Sequence, residues 1–151
     1  MGSINMSRVL LGGLVAGLII DVFEGVLNGV ILAKDWETAM LAMNKQPVTT
    51  NAIIAFNIWG IVLGIAAVWT YAAIRPRFGP GPKTGVIAGA LVWVLCYFLG
   101  SVGLIVMGLF PANLMMIGLA VGAVEIVLAT TVGARLYQES PEASSLSAAA
   151  R

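Results

Sequence analysis

Asp21, Glu24 and Glu125 are carboxylic acids set inside hydrophobic runs long enough to cross a bilayer, and no Lys, Arg or His shares their depth. Asp21 stands near the centre of the run Val9–Ala33, Glu24 follows it by one helical turn, and Glu125 stands near the centre of Leu114–Leu136. An ionisable group in hydrocarbon costs several kcal/mol, so it marks a functional site with a partner by default. Low dielectric disfavours the charged form of an unpaired acid, and two acids in one pocket titrate together. Proton exchange is therefore one chemistry open to these residues. Oxygen-rich sites also suit hard cations, and Asn28 and Asn57 add neutral oxygen ligands at matching depth. The candidate site is Asp21, Glu24, Asn28, Asn57 and Glu125. A purely structural role, with protonated acids bridging helices at about 0.6–2 kcal/mol per contact, would suit one acid better than three acids and two amides.

Other chemistries are poorly served. The chain has no His and a single cysteine, Cys96, so a zinc cluster, a haem ligand and an internal disulfide lack their residues. Nucleophile elbows, phosphate loops and metalloprotease motifs are absent, and catalysis is not expected. No cofactor is expected either. Trp59, Trp69, Trp93 and Tyr97 offer stacking surfaces, but packing or interface anchoring is the commoner use of such residues. Net charge is +1, which implies no nucleic-acid partner.

The elements that must position the acids follow from composition. The chain is 60% hydrophobic and 10% charged, far from the balance of a soluble domain. A spanning helix needs about 20 apolar residues. The runs 9–33, 52–74, 86–109 and 114–136 meet that length. The expected fold is all-α: a polytopic membrane protein whose four-helix bundle fills residues 1–137, followed by a disordered Glu/Ser/Ala-rich tail, 138–151. The first run is about twice the length of a signal-peptide core and carries two acids, so it is expected to remain as a helix.

Basic residues set topology. Arg75, Arg77 and Lys83 flank the second connection, Arg8 precedes the first span and Arg135 closes the last. Both termini are expected on the cytoplasmic side of a plasma membrane. The second connection, with three prolines and two glycines, is expected to end the helix in a stiff turn and to present Arg75, Arg77 and Lys83 to lipid head groups. In the first connection Asp35 is the expected cap of a short interfacial helix with Trp36, Met40 and Met43 on one face, ending before Pro47. Trp36 suits a membrane interface, and anchoring is favoured over a lid. Pro111 is expected to end the third span, and Asn113 to cap the fourth helix.

On a helix, Leu14, Gly17, Asp21, Glu24 and Asn28 share one side, as do Gly118, Gly122, Glu125 and Ala129. The polar strip must face protein or water. A path is expected from Glu125 through Asp21 and Glu24 to Asn28 and Asn57, leading outward. Glycine steps at Gly60/Gly64, Gly85/Gly89 and Gly118/Gly122 allow close packing within the chain or between chains. A faint internal repeat is also present. Gly13, Ala16 and Gly17 match Gly85, Ala88 and Gly89, while Asn51 and Gly60 match Asn113 and Gly122 at a second offset.

The polar first span followed by Trp36-Glu37-Thr38-Ala39-Met40 resembles small bacterial four-span inner-membrane proteins of unknown function. That resemblance covers most of the chain and carries no functional residues across. Small multidrug exporters also have four spans and an acid in the first, where Glu24 would stand, but the long first connection and Glu125 depart from their pattern. Two functions remain: a small transporter or binding protein for a proton-coupled or cationic substrate, or a non-catalytic accessory subunit of a larger membrane complex. The lipid bilayer is the one certain partner, and a homo-oligomer is compatible with either.

Overall fold

A computed structural model describes residues 4–139. The helices are α1 (Met6–Val26), prolonged by a π-helical turn at Leu27–Ile31; α2 (Ala33–Ala42); α3 (Thr50–Phe78); α4 (Pro82–Val92), continued by a π-helical segment at Trp93–Phe98 and by α5 (Leu99–Val106); and α6 (Ala112–Ala134). Four of the resulting helical stretches are long and apolar enough to span a membrane, namely Met6–Ile31, Thr50–Phe78, Pro82–Val106 and Ala112–Ala134. The protein is an all-α membrane bundle with no strand among the described residues. The tail beyond Glu139 lies outside the described residues.

Local signals explain the boundaries. The Asn5 side chain accepts the Arg8 N–H and opens α1, and Thr49 does the same for α3 through the Ala52 N–H. α2 ends because Asn44 turns left-handed, at φ 56°, while the Lys45 N–H reaches back to the Met40 carbonyl at 2.9 Å. Four expected boundaries move. α2 starts at Ala33, so Asp35 lies in its first turn instead of capping it. Pro111 precedes α6 and Asn113 is already helical. The third span ends at Val106, with the turn made by Gly108 at φ 63°. α3 also continues through Pro76 to Phe78. A proline this close to a helix end interrupts little of the hydrogen-bonding ladder, and the turn falls instead at Gly79, φ 82°.

Packing is closest in the half of the bundle where α1 begins and α6 ends. Gly64 of α3 faces the backbone of Gly13 and Gly17 of α1, and Gly12 of α1 faces the Gly133 carbonyl of α6. A Cβ at any of these positions would overlap backbone. Lipid tails are as apolar as leucine, so helices in a bilayer associate by fitting closely, and small residues permit that fit. Around these contacts lies a core of Val9, Ala16, Ile20, Ala67, Val68, Ala88, Ile126 and Ala129. Thr130, fully buried, returns its hydroxyl to the Ile126 carbonyl at 2.6 Å. At the ends, the Tyr71 and Tyr137 rings meet edge to face at 6.0 Å. Each phenol accepts a backbone N–H from the other hairpin: Tyr71 from Gly81, Tyr137 from Asn5. Arg75, expected to face lipid head groups, lies over the Tyr137 ring and reaches Glu139 at 2.6 Å. Arg77 and Lys83 are exposed.

The repeat is visible in these contacts with one correction. Gly13 packs on Ile65 and Gly17 on Ile61, while Gly85 packs on Thr131 and Gly89 on Val127. The first helices correspond at an offset of 72 residues (13 to 85, 17 to 89), as expected. The second helices correspond at 66 (61 to 127, 65 to 131), one helical turn beyond the offset that pairs Gly60 with Gly122.

The far half is loose. No residue of the π-helical segment at Trp93–Phe98 or of α5 is buried, and α3 from residue 53 to residue 59 is exposed throughout. Gly25, Gly29, Gly100, Gly103 and Gly118 face open space. The contrast sets a stability test. Gly64→Val should destabilise the fold by about 1–3 kcal/mol, the usual cost of overpacking, and Gly29→Ala should stay within about 0.5 kcal/mol of the parent. Thermal unfolding in mild detergent reads both.

Candidate functional site

The acids stand where the close-packed half meets the loose one. Glu125 is held by α6 one residue before the core residue Ile126 and is 0% exposed. Its Oε1 accepts the Tyr97 O–H at 3.0 Å, and its Oε2 is buried with no hydrogen-bond partner. Tyr97 reaches it because Gly122, one turn back on α6, has no side chain. A Cβ there would come within 2.7 Å of the tyrosine ring. The glycine of the α6 strip thus makes room for a phenol, not for a neighbouring backbone.

Glu24 of α1 lies beside the same hydroxyl. Its Oε2 accepts the Asn28 side-chain N–H. Asn28 Oδ1 in turn accepts the Trp36 indole N–H at 2.7 Å. An indole only donates, so this contact fixes which end of the Asn28 amide faces which neighbour. The result is a polar chain, Trp36–Asn28–Glu24–Tyr97–Glu125, that runs from the surface helix α2 to the buried acid. Asn28 and Tyr97 both stand in π-helical stretches, which often occur at functional sites because the extra residue re-aims the side chains around it.

Asp21 and Asn57 stand apart from this chain. Asp21 Oδ1 lies over Gly60 of α3, where the missing side chain leaves it space. It is partly exposed and close enough to Glu24 and Glu125 for its charge to act on both. Asn57 is exposed, and its amide returns to the Ile53 carbonyl of its own helix at 2.7 Å. The expected path from Glu125 to Asn28 is therefore present, but it runs through Tyr97, with Asp21 beside it and Asn57 outside it. In the sequence Tyr97 reads as one packing aromatic among several. The available signal was a phenol in the middle of an apolar span, which needs a hydrogen-bond partner as much as an acid does.

α2 closes the far end of the chain. Trp36 meets Phe110 edge to face at 5.5 Å and packs with Leu27, Leu32, Ala39 and Leu114. The expected apolar face of α2 is present, but Trp36 points at Asn28 in place of the role of a free interfacial anchor. Among the described residues, no three His, Cys, Asp or Glu side chains stand close enough together to cage a metal ion. An apolar groove of about 480 Å³ on α6, lined by Ala123, Val124, Val127, Leu128 and Thr131, does not touch the acids.

Fold and site together define a four-helix membrane protein with a carboxyl–phenol–carboxyl cluster at mid-depth. No protein-family model, curated protein or solved structure matches the chain.

Trp36→Phe keeps the ring and removes the donor to Asn28. It should release α2 by about 1 kcal/mol, the net worth of one such hydrogen bond. Amide exchange over residues 33–42 should then speed up while exchange in the core of α1 and α6 is unchanged.

Proposed function

We propose that this protein is a small membrane carrier or binding protein whose mid-depth carboxyl groups exchange protons against a cationic substrate. The observation that supports the reading above all others is the unpartnered Oε2 of Glu125, in a side chain with no solvent exposure. A buried polar atom without a partner costs about 1–3 kcal/mol. A proton or a cation removes that cost, and a site that binds either one in turn couples their movements. With the termini on the cytoplasmic side, the polar chain from Glu125 to Trp36 leads toward the outer face. Asp21 and Glu24 place two further carboxyl groups at the same depth to attract a cation.

A specific observation favours a second reading, a non-catalytic subunit of a larger assembly. Gly25, Gly29, Gly100, Gly103 and Gly118 present small surfaces to open space in the far half, where a partner helix would fit. The native mass of the protein extracted from its own membrane in mild detergent separates the two readings. Other chains at fixed ratio support the subunit, and a monomer or homo-oligomer supports the carrier.

In proteoliposomes with an imposed pH gradient, the carrier reading expects uptake of a monovalent cation, tested with sodium, potassium and tetraphenylphosphonium. Asp21→Asn combined with Glu125→Gln should abolish that uptake and leave the helical circular dichroism unchanged. Uptake indifferent to the pH gradient, or retained in the double variant, would falsify the reading.

A further inference from the structure

The Tyr97 oxygen carries one hydrogen and neighbours two carboxyl groups, Glu125 and Glu24. That hydrogen goes to Glu125 Oε1. A second hydrogen bond to the phenol oxygen then needs a hydrogen from Glu24. The Asn28 amide, oriented by the Trp36 indole, already donates to Glu24 Oε2, which leaves the other oxygen of Glu24 to carry the proton. The mirror arrangement, with the phenol donating to Glu24 and a protonated Glu125 donating to the phenol, uses the same atoms. In both, one carboxyl is protonated and one is not. The unpartnered, fully buried Oε2 of Glu125 marks the end of the chain at which a proton or cation is still lacking.

We propose that Tyr97 is a proton relay between Glu24 of α1 and Glu125 of α6, and that the two carboxyl groups share one proton through the phenol, which keeps its own. The step balances. The Glu24 O–H bond breaks as its proton moves to the phenol oxygen, and the phenol O–H bond breaks as its proton moves to Glu125. A new phenol O–H and a new Glu125 O–H form, with no change of oxidation state. Repeating the step needs rotation of the phenol hydroxyl, uptake of a proton by Glu24 and release of one by Glu125. Trp36 and Asn28 hold Glu24 at the accessible end, and Gly122 holds the Tyr97 ring at the distance the transfer requires.

The groups facing the unit from each packed element are few. α1 contributes Asp21 beside Glu24, the third span contributes Tyr97 with Cys96 next to it, and α3 places no ionisable side chain at this depth. α2 carries Lys34, Asp35 and Glu37 on its exposed face, with Trp36 turned inward. Asp21 has no part in the relay.

The inference rests on the acid site being functional, but its test does not need transport. Infrared difference spectra of the purified protein in lipid, recorded after a rapid pH jump, follow the carboxyl C=O bands directly. Glu24→Gln and Glu125→Gln identify the two bands. In Tyr97→Phe the Glu125 band should still change by the same final amplitude, but at least about tenfold more slowly, the scale set by loss of a positioned proton-transfer group. Gly122→Ala, which displaces the ring and keeps the phenol, should slow it likewise. A structural role for Tyr97 would alter the final amplitude or the fold, read by circular dichroism, and not the rate alone. An unchanged rate in Tyr97→Phe, or a C=O signal unaffected by Glu125→Gln, overturns the relay. Absent cation uptake with an intact Tyr97 effect would reject the carrier reading and keep the relay.

Discussion

The approach of backbone to backbone at Gly12, Gly13, Gly17, Gly64 and Gly133 is the constraint on which the rest depends. In a bilayer there is no gain from hiding one apolar side chain from another apolar medium, so helices hold together where they fit. Here the fit is confined to one half. It brings α1, α3 and α6 into backbone contact there, whereas the far half is joined through side chains, among them Leu27, Leu32, Ala39 and Leu114 around Trp36. The depth of the acids follows from this. Glu125 stands at the last layer of the tight core, and Asp21 and Glu24 stand just beyond the last glycine contact of α1, where Gly60 still gives Asp21 room.

The scaffold is two similar hairpins, and the chemistry is not. Gly13 and Gly17 repeat as Gly85 and Gly89, and Tyr71 and Tyr137 clasp the start of each other's hairpin. The carboxyl groups have no such pairing. Glu24 comes from the first helix of one hairpin, Glu125 from the second helix of the other, and Tyr97 bridges them from a third. A symmetric frame with an asymmetric polar interior is the arrangement expected where repeats place a site at their interface. It also explains why the repeat hardly shows in the sequence: only residues in backbone contact are held to it, and one hairpin is shifted by a turn at its second helix.

Polar satisfaction governs the site as fit governs the close-packed half. Trp36, Asn28 and Tyr97 each donate to an acceptor along the chain, which ends on a carboxyl oxygen that receives no donor. In hydrocarbon such an atom is costly. Within the polar chain the unsatisfied buried atom is Glu125 Oε2, and it gives the carboxyl–phenol cluster its chemical direction. α2 belongs to the same network. Its indole is the outermost donor, so movement of the surface helix and the state of Glu24 are linked through a single asparagine.

The amino-acid sequence by itself determined the class of fold and the depth of the acids. Apolar runs of bilayer length permit only satisfied helices, and no basic residue is available at the depth of Asp21, Glu24 or Glu125. The apolar face of α2 was also legible, because helical periodicity is local. Only the tertiary structure decided which polar groups meet. Asn57 shares the depth of Asn28 yet turns to its own backbone, since α3 diverges just beyond Gly60. Tyr97, one aromatic among several in the sequence, becomes the centre of the site because Gly122 leaves space on the opposing helix. Depth is a property of a single helix and is written in its composition. Rotation and splay arise between helices, from contacts no wider than a missing side chain, and those set which side chains face one another.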